Sequence, residues 1–348
     1  MSSSSITVVD NPSPDLWKIV LDTHAQGNLE QTIEYGEMKK MAYPRTETLR
    51  LLALESEHPV GVVQGYYKKR RGYGRFLTVG GVYGNGPLTT LKGKEEASVA
   101  RELLEALERK AIKRRIVEAY VTWPESWGFL DIFSELGFKV IDEFNVYTVD
   151  LAGSSSDLWT RIASNKRKNI KRAQSQGVTV RNGTSEKDFQ SFLEMLKASA
   201  SRARFDPTLS EVEALWNILS PKGSARIFLA EIQSRGVAGV FALTQGDTVY
   251  ARAAGSYEWA WNARPNDLLH WEVMNWGLEK GFLKYHMGLA PEPLPSEGSS
   301  FWGVWRWKRE WNGRLEKMRR LCRIYLPHLE RFTKIANRLV SPFKKLTS

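Results

Sequence analysis

The chain has 348 residues, a length that favours two domains over a single core. With 42% hydrophobic and 26% charged residues, its composition is that of a globular protein and excludes a mainly disordered or membrane-embedded chain. The net charge is +11, and a single cysteine, Cys322, excludes an internal disulfide and a cysteine-based metal cluster.

The first residues contain no basic segment followed by an apolar run, so they do not resemble a signal peptide. No stretch approaches the roughly 18 apolar residues that a membrane span needs. Together with the single cysteine, these features predict a cytoplasmic protein.

The first half of the chain predicts two strands within residues 49–67, joined by a turn at 56–59. A helix over 98–115 and a strand over 116–123 follow. Another strand, residues 143–151, leads into a Ser-rich segment that predicts a linker over 151–157.

The second half repeats this order. Residues 225–255 predict strands separated by turns at 234–236 and 245–247, and residues 266–281 predict a helix before a strand over 282–288. In that helix Asp267 is the expected N-cap and Gly281 the C-terminal stop. The repeat predicts an α/β (α+β) fold of two similar domains, each with a mixed central sheet flanked by helices.

Two further helices precede these strands. Residues 158–177 predict one basic helix, and residues 187–201 predict another, which begins after a capping box formed by Ser185 and Asp188. The basic helix contains six cations and no acid after Asp157: Arg161, Lys166, Arg167, Lys168, Lys171 and Arg172.

Most of the excess charge lies at the C-terminal end, where residues 306–348 contain 13 Lys or Arg and three Glu. The apolar residues of 314–348 have loosely helical spacing, with a break at Pro327. This tail is either an amphipathic element that contacts a membrane or RNA, or a helix pair packed on the body with a solvated basic face. The expected domains are therefore 1–150, 151–313 and a basic helical tail, 314–348.

Several kinds of chemistry have no support in the sequence. The five histidines are far apart and no Cys pair is present, so no metal site is expected. Neither a Gly-x-Ser-x-Gly nucleophile turn nor a phosphate loop ending in Gly-Lys-Ser/Thr occurs. Two segments, 69–74 and 252–257, come close to the glycine loop with which GNAT acetyltransferases bind the pyrophosphate of acetyl-CoA, but each departs from it at one position.

The order of several motifs resembles the Fem-type peptidoglycan aminoacyltransferases, which have a doubled GNAT fold. The motifs are Gln31–Lys39, Tyr83–Pro87, Asn169–Gly177, Ala200–Phe205 and the Trp307–Lys308 pair. Two positions depart from that family's pattern, because His286 follows Tyr285 where the family usually has Asp, and Trp307 stands in place of Phe.

The resemblance implies an enzyme that transfers an amino acid from aminoacyl-tRNA, needs no cofactor, and acts on an amine of an anionic cell-wall or cell-surface precursor. Lys39 and Arg202 would contact the diphosphate of that acceptor. Lys308 would be catalytic, by stabilising the oxyanion or holding the end of the donor. The remaining substrate contacts would come from Tyr250, Ser256, Tyr285 and Trp307.

Four tryptophans surround Lys308: Trp302, Trp305, Trp307 and Trp311. Some of them are expected to stack on bases or ribose, and others to fill a core from a strand. Two alternatives to aminoacyl transfer stay open. One is an acyl-CoA-dependent GNAT N-acyltransferase acting on a sugar or small metabolite, and the other is a non-catalytic module that binds anionic polymers through its basic helix and tail.

Overall fold

The structure is a computed structural model that describes residues 6–23, 28–127, 130–290 and 302–331. The chain forms two compact units. Unit 1 comprises Met1–His24, Glu30–Glu143 and Arg319–Ser348, and unit 2 comprises Ala25–Leu29 and Phe144–Met318.

The described strands are β1 (Ile6–Asp10), β2 (Thr46–Glu55), β3 (His58–Arg70), β4 (Tyr73–Val79), β5 (Leu88–Thr89), β6 (Glu118–Pro124), β7 (Lys139–Asp150), β8 (Thr179–Gly183), β9 (Ala225–Ile232), β10 (Arg235–Gln245), β11 (Thr248–Ser256), β12 (Lys284–Ala290) and β13 (Arg314–Ile324). The described α-helices are α1 (Pro14–Thr23), α2 (Ile33–Ala42), α3 (Lys94–Lys113), α4 (Leu130–Glu135), α5 (Ser155–Arg161), α6 (Ser164–Ser175), α7 (Glu186–Ala203), α8 (Leu209–Leu219), α9 (Pro265–Glu279) and α10 (Trp302–Arg309). Short 3-10 helices cover Leu29–Gln31, Glu125–Trp127 and Glu258–Ala263.

Unit 1 is built on a sheet in the order β1-β2-β3-β4-β6, in which β4 and β6 are parallel and the other pairs are antiparallel. Helix α3 packs on β1, β2 and β3 and buries the apolar stripe that includes Val99, Leu103 and Leu107. Two of the recognised motifs contact each other here. A Cβ at Gly86 would lie 2.8 Å from Nε2 of Gln31, so the glycine leaves room for that side chain.

Unit 2 has the order β7-β12-β11-β10-β9-β8, which is antiparallel except between β11 and β12. Helices α7 and α9 both pack on β9 and β10. The apolar residues of α9 form one core with these strands, whereas Phe189 and Phe192 of α7 pack against Phe241. The predicted repeat is therefore present: both units contain antiparallel strands, one parallel pair, and a long helix between the two parallel strands. The mixed α/β architecture expected from the sequence is confirmed.

Local signals set several boundaries correctly. Helix α7 begins after Ser185, whose hydroxyl accepts from the amide of Asp188 while the Asp188 carboxylate accepts from the Ser185 amide. Helix α9 ends just before Gly281, which has a φ of +80°. The turns after β2, β9 and β10 lie within one or two residues of their predicted positions.

The basic helix predicted over 158–177 is wrong as a single element, because α5 and α6 are separated at Ile162 and Ala163. The backbone groups freed by this break have partners nearby: the Ala163 amide donates to the carbonyl of Glu310, and Asn312 donates to the carbonyl of Arg161. Tertiary hydrogen bonds therefore stabilise the break between α5 and α6, which could not be predicted from the sequence because no proline or glycine occurs there.

The predicted helical tail is also wrong over its first part, which is strand β13. The helical spacing misled because Met318 and Leu321 are three positions apart, which puts them on opposite faces of a strand, and both are buried. Strand β13 is therefore covered on both faces and shows no alternation of buried and exposed residues. Residues 319–348 belong to unit 1 rather than to a separate tail, and residues 332–348 lie outside the described residues.

Candidate functional site

The two parallel strands of unit 2 pair over only three residues each. The register joins Thr248 to Lys284 and ends with Tyr250 opposite His286, while both strands continue beyond that point. At the same place the pairing of β12 with β7 is interrupted between His286 and Leu289, and Gly288 has a φ of +76°. The result is a wedge between β11 and β12, with a bulge on its β12 side.

Lys308 reaches this bulge from helix α10. Its ammonium donates to the carbonyl of Met287 at 2.7 Å and to the carbonyl of Leu289 at 2.6 Å. Burial lowers the pKa of Lys308 to about 8. An ammonium carries three N–H donors. Two of them are used by the bulge, so the charge is held in place at the wedge.

Two groups at the end of the parallel pairing flank this position. The ring centroids of Tyr250 and His286 are 5.3 Å apart. The amide of Gly288 donates to Nδ1 of His286 at 3.1 Å, which places the imidazole proton of the neutral ring on Nε2. Burial, together with the charge of Lys308, lowers the pKa of His286 to about 3, so the ring is neutral at pH 7.

A buried polar cluster anchors α10. Lys166 is fully buried, and its ammonium lies 2.6 Å from Oδ1 of Asp267 and 3.3 Å from Oε2 of Glu310. The indole of Trp307 donates to the same Asp267 oxygen at 2.8 Å, and the Lys166 ammonium lies 4.7 Å from a Trp307 ring centroid and 4.8 Å from that of Trp311. This arrangement ties α6, α9 and α10 together beside Lys308.

His270 links this cluster to β12. Its Nδ1 is hydrogen bonded to the hydroxyl of Tyr285 at 2.6 Å, and its ring centroid is 4.7 Å from that of Trp307. Burial, and then the charges of Lys166 and Lys308, lower the pKa of His270 to about 3. Burial raises the pKa of Tyr285, so this pair is an uncharged hydrogen bond beneath the wedge.

Ser256 lies at the far end of β11, where several groups meet. Its amide donates to the Ser199 hydroxyl at 2.9 Å, and its own hydroxyl accepts from the indole of Trp261 at 3.1 Å and from the amide of Asn266 at 3.2 Å. Arg202 donates to the Ser256 carbonyl at 3.4 Å and covers the Trp261 ring at 4.3 Å.

Lys39 belongs to unit 1. It lies on α2 and is 8% exposed. Its ammonium is within 4.9–5.5 Å of three tyrosine ring centroids, those of Tyr35, Tyr43 and Tyr66. An ammonium enclosed by aromatic faces is held by cation–π attraction.

Unit 2 therefore brings together most of the residues singled out in the sequence. Lys308, Trp307, Tyr285 and Tyr250 surround the wedge, while Ser256 and Arg202 form a neighbouring group. The expectation that the tryptophans alternate on a strand is wrong, since Trp302, Trp305 and Trp307 lie on a helix.

Sequence reasoning missed the most connected residues of the site. Asp267 was expected to cap α9, but Arg264 occupies the N-cap and Pro265 the first helical position, so Asp267 turns inward to Lys166. The sequence presented Lys166 and Arg167 only as two of the six cations of the basic helix, whereas the Arg167 guanidinium donates to three backbone carbonyls at the α5–α6 break. No local signal distinguishes these two cations, because their neighbours Asn165 and Lys168 are polar as well.

The two segments that resemble coenzyme A loops have other structural roles. Residues 69–74 form the β3–β4 hairpin, where Arg70 pairs with Tyr73. In the second segment Arg252 pairs with Glu211, and Gly255 lies against α7 so closely that a Cβ would be 2.4 Å from the Leu196 nitrogen. Of the second segment, residues 252–256 lie in β11, and only Tyr257, the N-cap of the 3-10 helix, lies outside the strand.

Residues 161–309 match the family described as "Acetyltransferase (GNAT) domain". This match and the fold support an acyltransferase, the class of enzyme expected from the sequence. In the described part of the chain, no group of three His, Cys, Asp or Glu could hold a metal ion, and no helix is long and apolar enough to cross a membrane.

Solved structures extend the likeness to the whole chain. FemX superposes with a TM-score of 0.80 at 16% identity, covering 94% of this chain and 99% of FemX. L-PGS from Bacillus licheniformis gives 0.54 at 15% identity, covering 96% and 98%. A tandem GNAT protein from the clavulanic acid biosynthesis pathway gives 0.56 at 12% identity, covering 92% and 98%. No curated protein sequence matches. The chain thus has a doubled GNAT fold of the FemX type.

Proposed function

Because the chain has the FemX fold and a GNAT acetyltransferase domain, we propose that it is an aminoacyltransferase. It moves an amino acid from the ester of an aminoacyl-tRNA to an amine of an anionic cell-wall or cell-surface peptide precursor. The observation that carries this proposal is Lys308, whose ammonium is fixed by two carbonyls at the wedge between β11 and β12.

The reaction needs little chemical assistance, because an aminoacyl ester is already activated. The acceptor nitrogen attacks the ester carbonyl, a C–N bond forms, the C–O bond to the ribose breaks, and the proton lost by the amine is balanced by the one gained by the ribose oxygen. Charge develops on the carbonyl oxygen in between. The Lys308 ammonium stabilises that oxyanion, and because two carbonyls already hold the ammonium, little reorganisation is needed.

The neutral ring of His286 fits the same scheme as a polar wall of the site rather than as a base. Its Nδ1 accepts from the Gly288 amide, so that nitrogen is not open to receive a substrate proton. In the Fem-type pattern an acid usually stands at this position. The replacement leaves the charge near Lys308 more positive, which favours an anionic transition state and an anionic donor.

The choice of aminoacyl-tRNA over acyl-CoA as the donor rests on the conformation of the two glycine segments, residues 69–74 and 252–257. Coenzyme A binding in GNAT enzymes uses successive backbone amides of an open loop, whereas residues 69–70, 73–74 and 252–256 lie in strands. An aminoacyl-tRNA donor does not need that loop. For the acceptor, Lys39 of unit 1 supplies a cation that would contact a phosphate group.

Release of labelled amino acid from a pool of charged tRNAs, in the presence of peptide-bearing cell-wall precursors, tests the proposal. The parent protein is expected to form a new amide with one aminoacyl group. Lys308→Ala should reduce the rate by about 100-fold or more, the scale set by removal of one oxyanion donor. Lys280→Ala, which removes an exposed cation after α9, is the matched control and should keep full activity.

The second candidate is an acyl-CoA-dependent N-acyltransferase, favoured by the GNAT domain match and by the tandem GNAT neighbour. Calorimetric titration with acetyl-CoA and longer acyl-CoAs separates the two. Binding of an acyl-CoA in the micromolar range, with no amino acid released from any charged tRNA, would overturn the aminoacyl proposal in favour of this one.

A further inference from the structure

Two large aromatic side chains of unit 2 lie open to solvent on the 3-10 helix Glu258–Ala263. Trp259 is 55% exposed and Trp261 is 40% exposed. Neighbouring exposed aromatic residues are unusual on a soluble protein and mark interaction sites. Both lie in the connection between β11 and α9, on the 3-10 helix that begins two residues after Ser256.

Each tryptophan carries an arginine on its ring. The guanidinium of Arg235 lies 4.9 Å from a Trp259 ring centroid, and that of Arg202 lies 4.3 Å from a Trp261 centroid. Tyr257 stacks nearly parallel to Trp259, with an interplanar angle of 15° and centroids 6.3 Å apart. We call these five residues the aromatic–arginine surface.

We propose that the aromatic–arginine surface binds a single-stranded polynucleotide, with bases stacked on Trp259 and Trp261 and phosphates on the arginines. Interleaved aromatic and cationic side chains are the pattern by which proteins hold unpaired strands without reading their sequence. An arginine whose guanidinium face lies on a ring can still donate its N–H groups to phosphate oxygens. In Arg202 two of the five N–H groups already donate, to the Ser256 carbonyl and the Ser199 hydroxyl.

The aromatic–arginine surface is connected to Lys308, so its position indicates which part of the site a bound strand would reach. The Trp261 indole donates to the Ser256 hydroxyl, and that hydroxyl also accepts from Asn266, the neighbour of Asp267. Asp267 in turn holds Trp307, which precedes Lys308. Three hydrogen bonds and two steps along the chain therefore connect the aromatic–arginine surface to Lys308.

The inference deepens the proposed function and rests on it for one point, that the strand is the unpaired acceptor end of the tRNA donor. A lipid surface fits less well. A membrane-facing patch needs contiguous apolar side chains, whereas here exposed charges alternate with the rings, including Glu258 between Tyr257 and Trp259 and Arg264 after Trp261. Burying those charges in a bilayer interface would require their dehydration.

Fluorescence anisotropy with a fluorescein-labelled single-stranded oligoribonucleotide tests the surface without any transfer reaction. Trp259→Ala should weaken binding about tenfold, and Trp259→Phe should restore most of it, because the ring face rather than the indole nitrogen provides the stacking. Arg235→Ala should weaken binding and reduce the slope of log affinity against log salt by about 0.7, the value for one phosphate contact on a single strand.

Phe76→Ala is the matched control. Phe76 is an exposed aromatic with an arginine on its ring, Arg75 at 4.3 Å, but it lies in unit 1 and Arg75 is paired with the buried Glu118. This variant should bind the oligoribonucleotide as the parent does. Equal loss in Phe76→Ala and Trp259→Ala would overturn the proposal, because it would show only nonspecific attraction.

The remaining outcomes separate the surface from the proposed function. If Trp259→Ala binds the oligoribonucleotide as tightly as the parent, the aromatic–arginine surface is not the polynucleotide-binding site, even if Lys308-dependent aminoacyl transfer is found. Loss of affinity in Trp259→Ala, with no transfer from any charged tRNA by the parent, supports the surface and refutes the proposed function. If Trp259→Ala loses binding to phosphatidylglycerol vesicles but keeps its affinity for the oligoribonucleotide, the surface binds lipid rather than a polynucleotide.

Discussion

The ammonium of Lys166 and Oδ1 of Asp267 lie 2.6 Å apart in the core of unit 2, and the same oxygen accepts the indole hydrogen of Trp307. Three helices far apart in sequence are joined at this carboxylate. Since Lys308 follows Trp307 directly, the buried ion pair fixes the helix that carries the candidate catalytic lysine.

Lys166→Met is expected to destabilise the protein by about 3–5 kcal/mol, because it leaves the Asp267 carboxylate buried without its cation. Urea denaturation followed by tryptophan fluorescence measures the change. The double variant Lys166→Met with Asp267→Leu should recover part of the loss, since neither charge then remains buried. A single variant as stable as the parent would show that the pair contributes nothing to the fold.

The rate of aminoacyl transfer should depend on the ionisation of Lys308. Because its pKa is lowered to about 8, the ammonium fraction falls as the pH rises through 8. Lys308→Arg keeps the charge at all these pH values. The ratio of the parent rate to the Lys308→Arg rate is therefore expected to fall about tenfold per pH unit above 8.

That ratio reports the titration of Lys308 alone, since the pH dependence of the acceptor amine and of the labile ester affects the rates of both proteins equally. Initial rates between pH 6.5 and 9.5, corrected for spontaneous ester hydrolysis, give the profile. A ratio that rises with pH would mean that the neutral amine of Lys308 acts as a base, and a constant ratio would remove the link to its titration.

Acidification should destabilise unit 2 through His270. Its pKa is about 3 in the folded protein and about 6.5 in an unfolded chain, so between these values the unfolded state binds more protons. Stability is thus expected to fall as the pH drops below 6.5, by up to ~1.4 kcal/mol per pH unit for this one residue.

Unfolding free energies at pH 7, 6 and 5 measure this slope. His270→Gln keeps an acceptor for the Tyr285 hydroxyl but cannot titrate, so its slope should be flatter than that of the parent. His58→Gln, which changes an exposed histidine, should leave the slope unchanged. Equal slopes in the parent and His270→Gln would contradict the prediction.

Gly255→Ala should destabilise the fold rather than only weaken donor binding. The added Cβ would lie 2.4 Å from the Leu196 nitrogen and 2.5 Å from the Met195 carbonyl carbon, and the backbone of α7 cannot yield as a side chain would. We expect a loss of roughly 3 kcal/mol or more, the upper end for overpacking in a tight core.

Gly72→Ala provides the comparison from the other glycine segment. Gly72 has a φ of +83°, and a Cβ added there would meet no atom within 4 Å, so only the left-handed backbone is penalised, at roughly 1–2 kcal/mol. Thermal unfolding of both variants gives the difference. Full stability in Gly255→Ala, with donor binding lost, would restore the interpretation of this glycine as a ligand contact.

Much of the fold could be predicted because its signals are local. The Ser185–Asp188 capping box, the stop at Gly281 and the strand turns depend on hydrogen bonds and dihedral angles within a few residues. The prediction of β13 as a helix failed for the opposite reason. That strand is covered on both faces, and burial on both faces removes the alternation by which a strand is recognised.

By itself the sequence determined the repeated α/β pattern and the doubled GNAT fold. Only the tertiary structure decided that Lys166 and Asp267 are a buried pair and that Gly255 is required by helix packing. The physical reason is that the same lysine, aspartate or glycine is stable on a surface, at a helix end or in a loop. The role of such a residue depends on contacts with residues from distant parts of the chain, and these contacts cannot be predicted from the local sequence pattern.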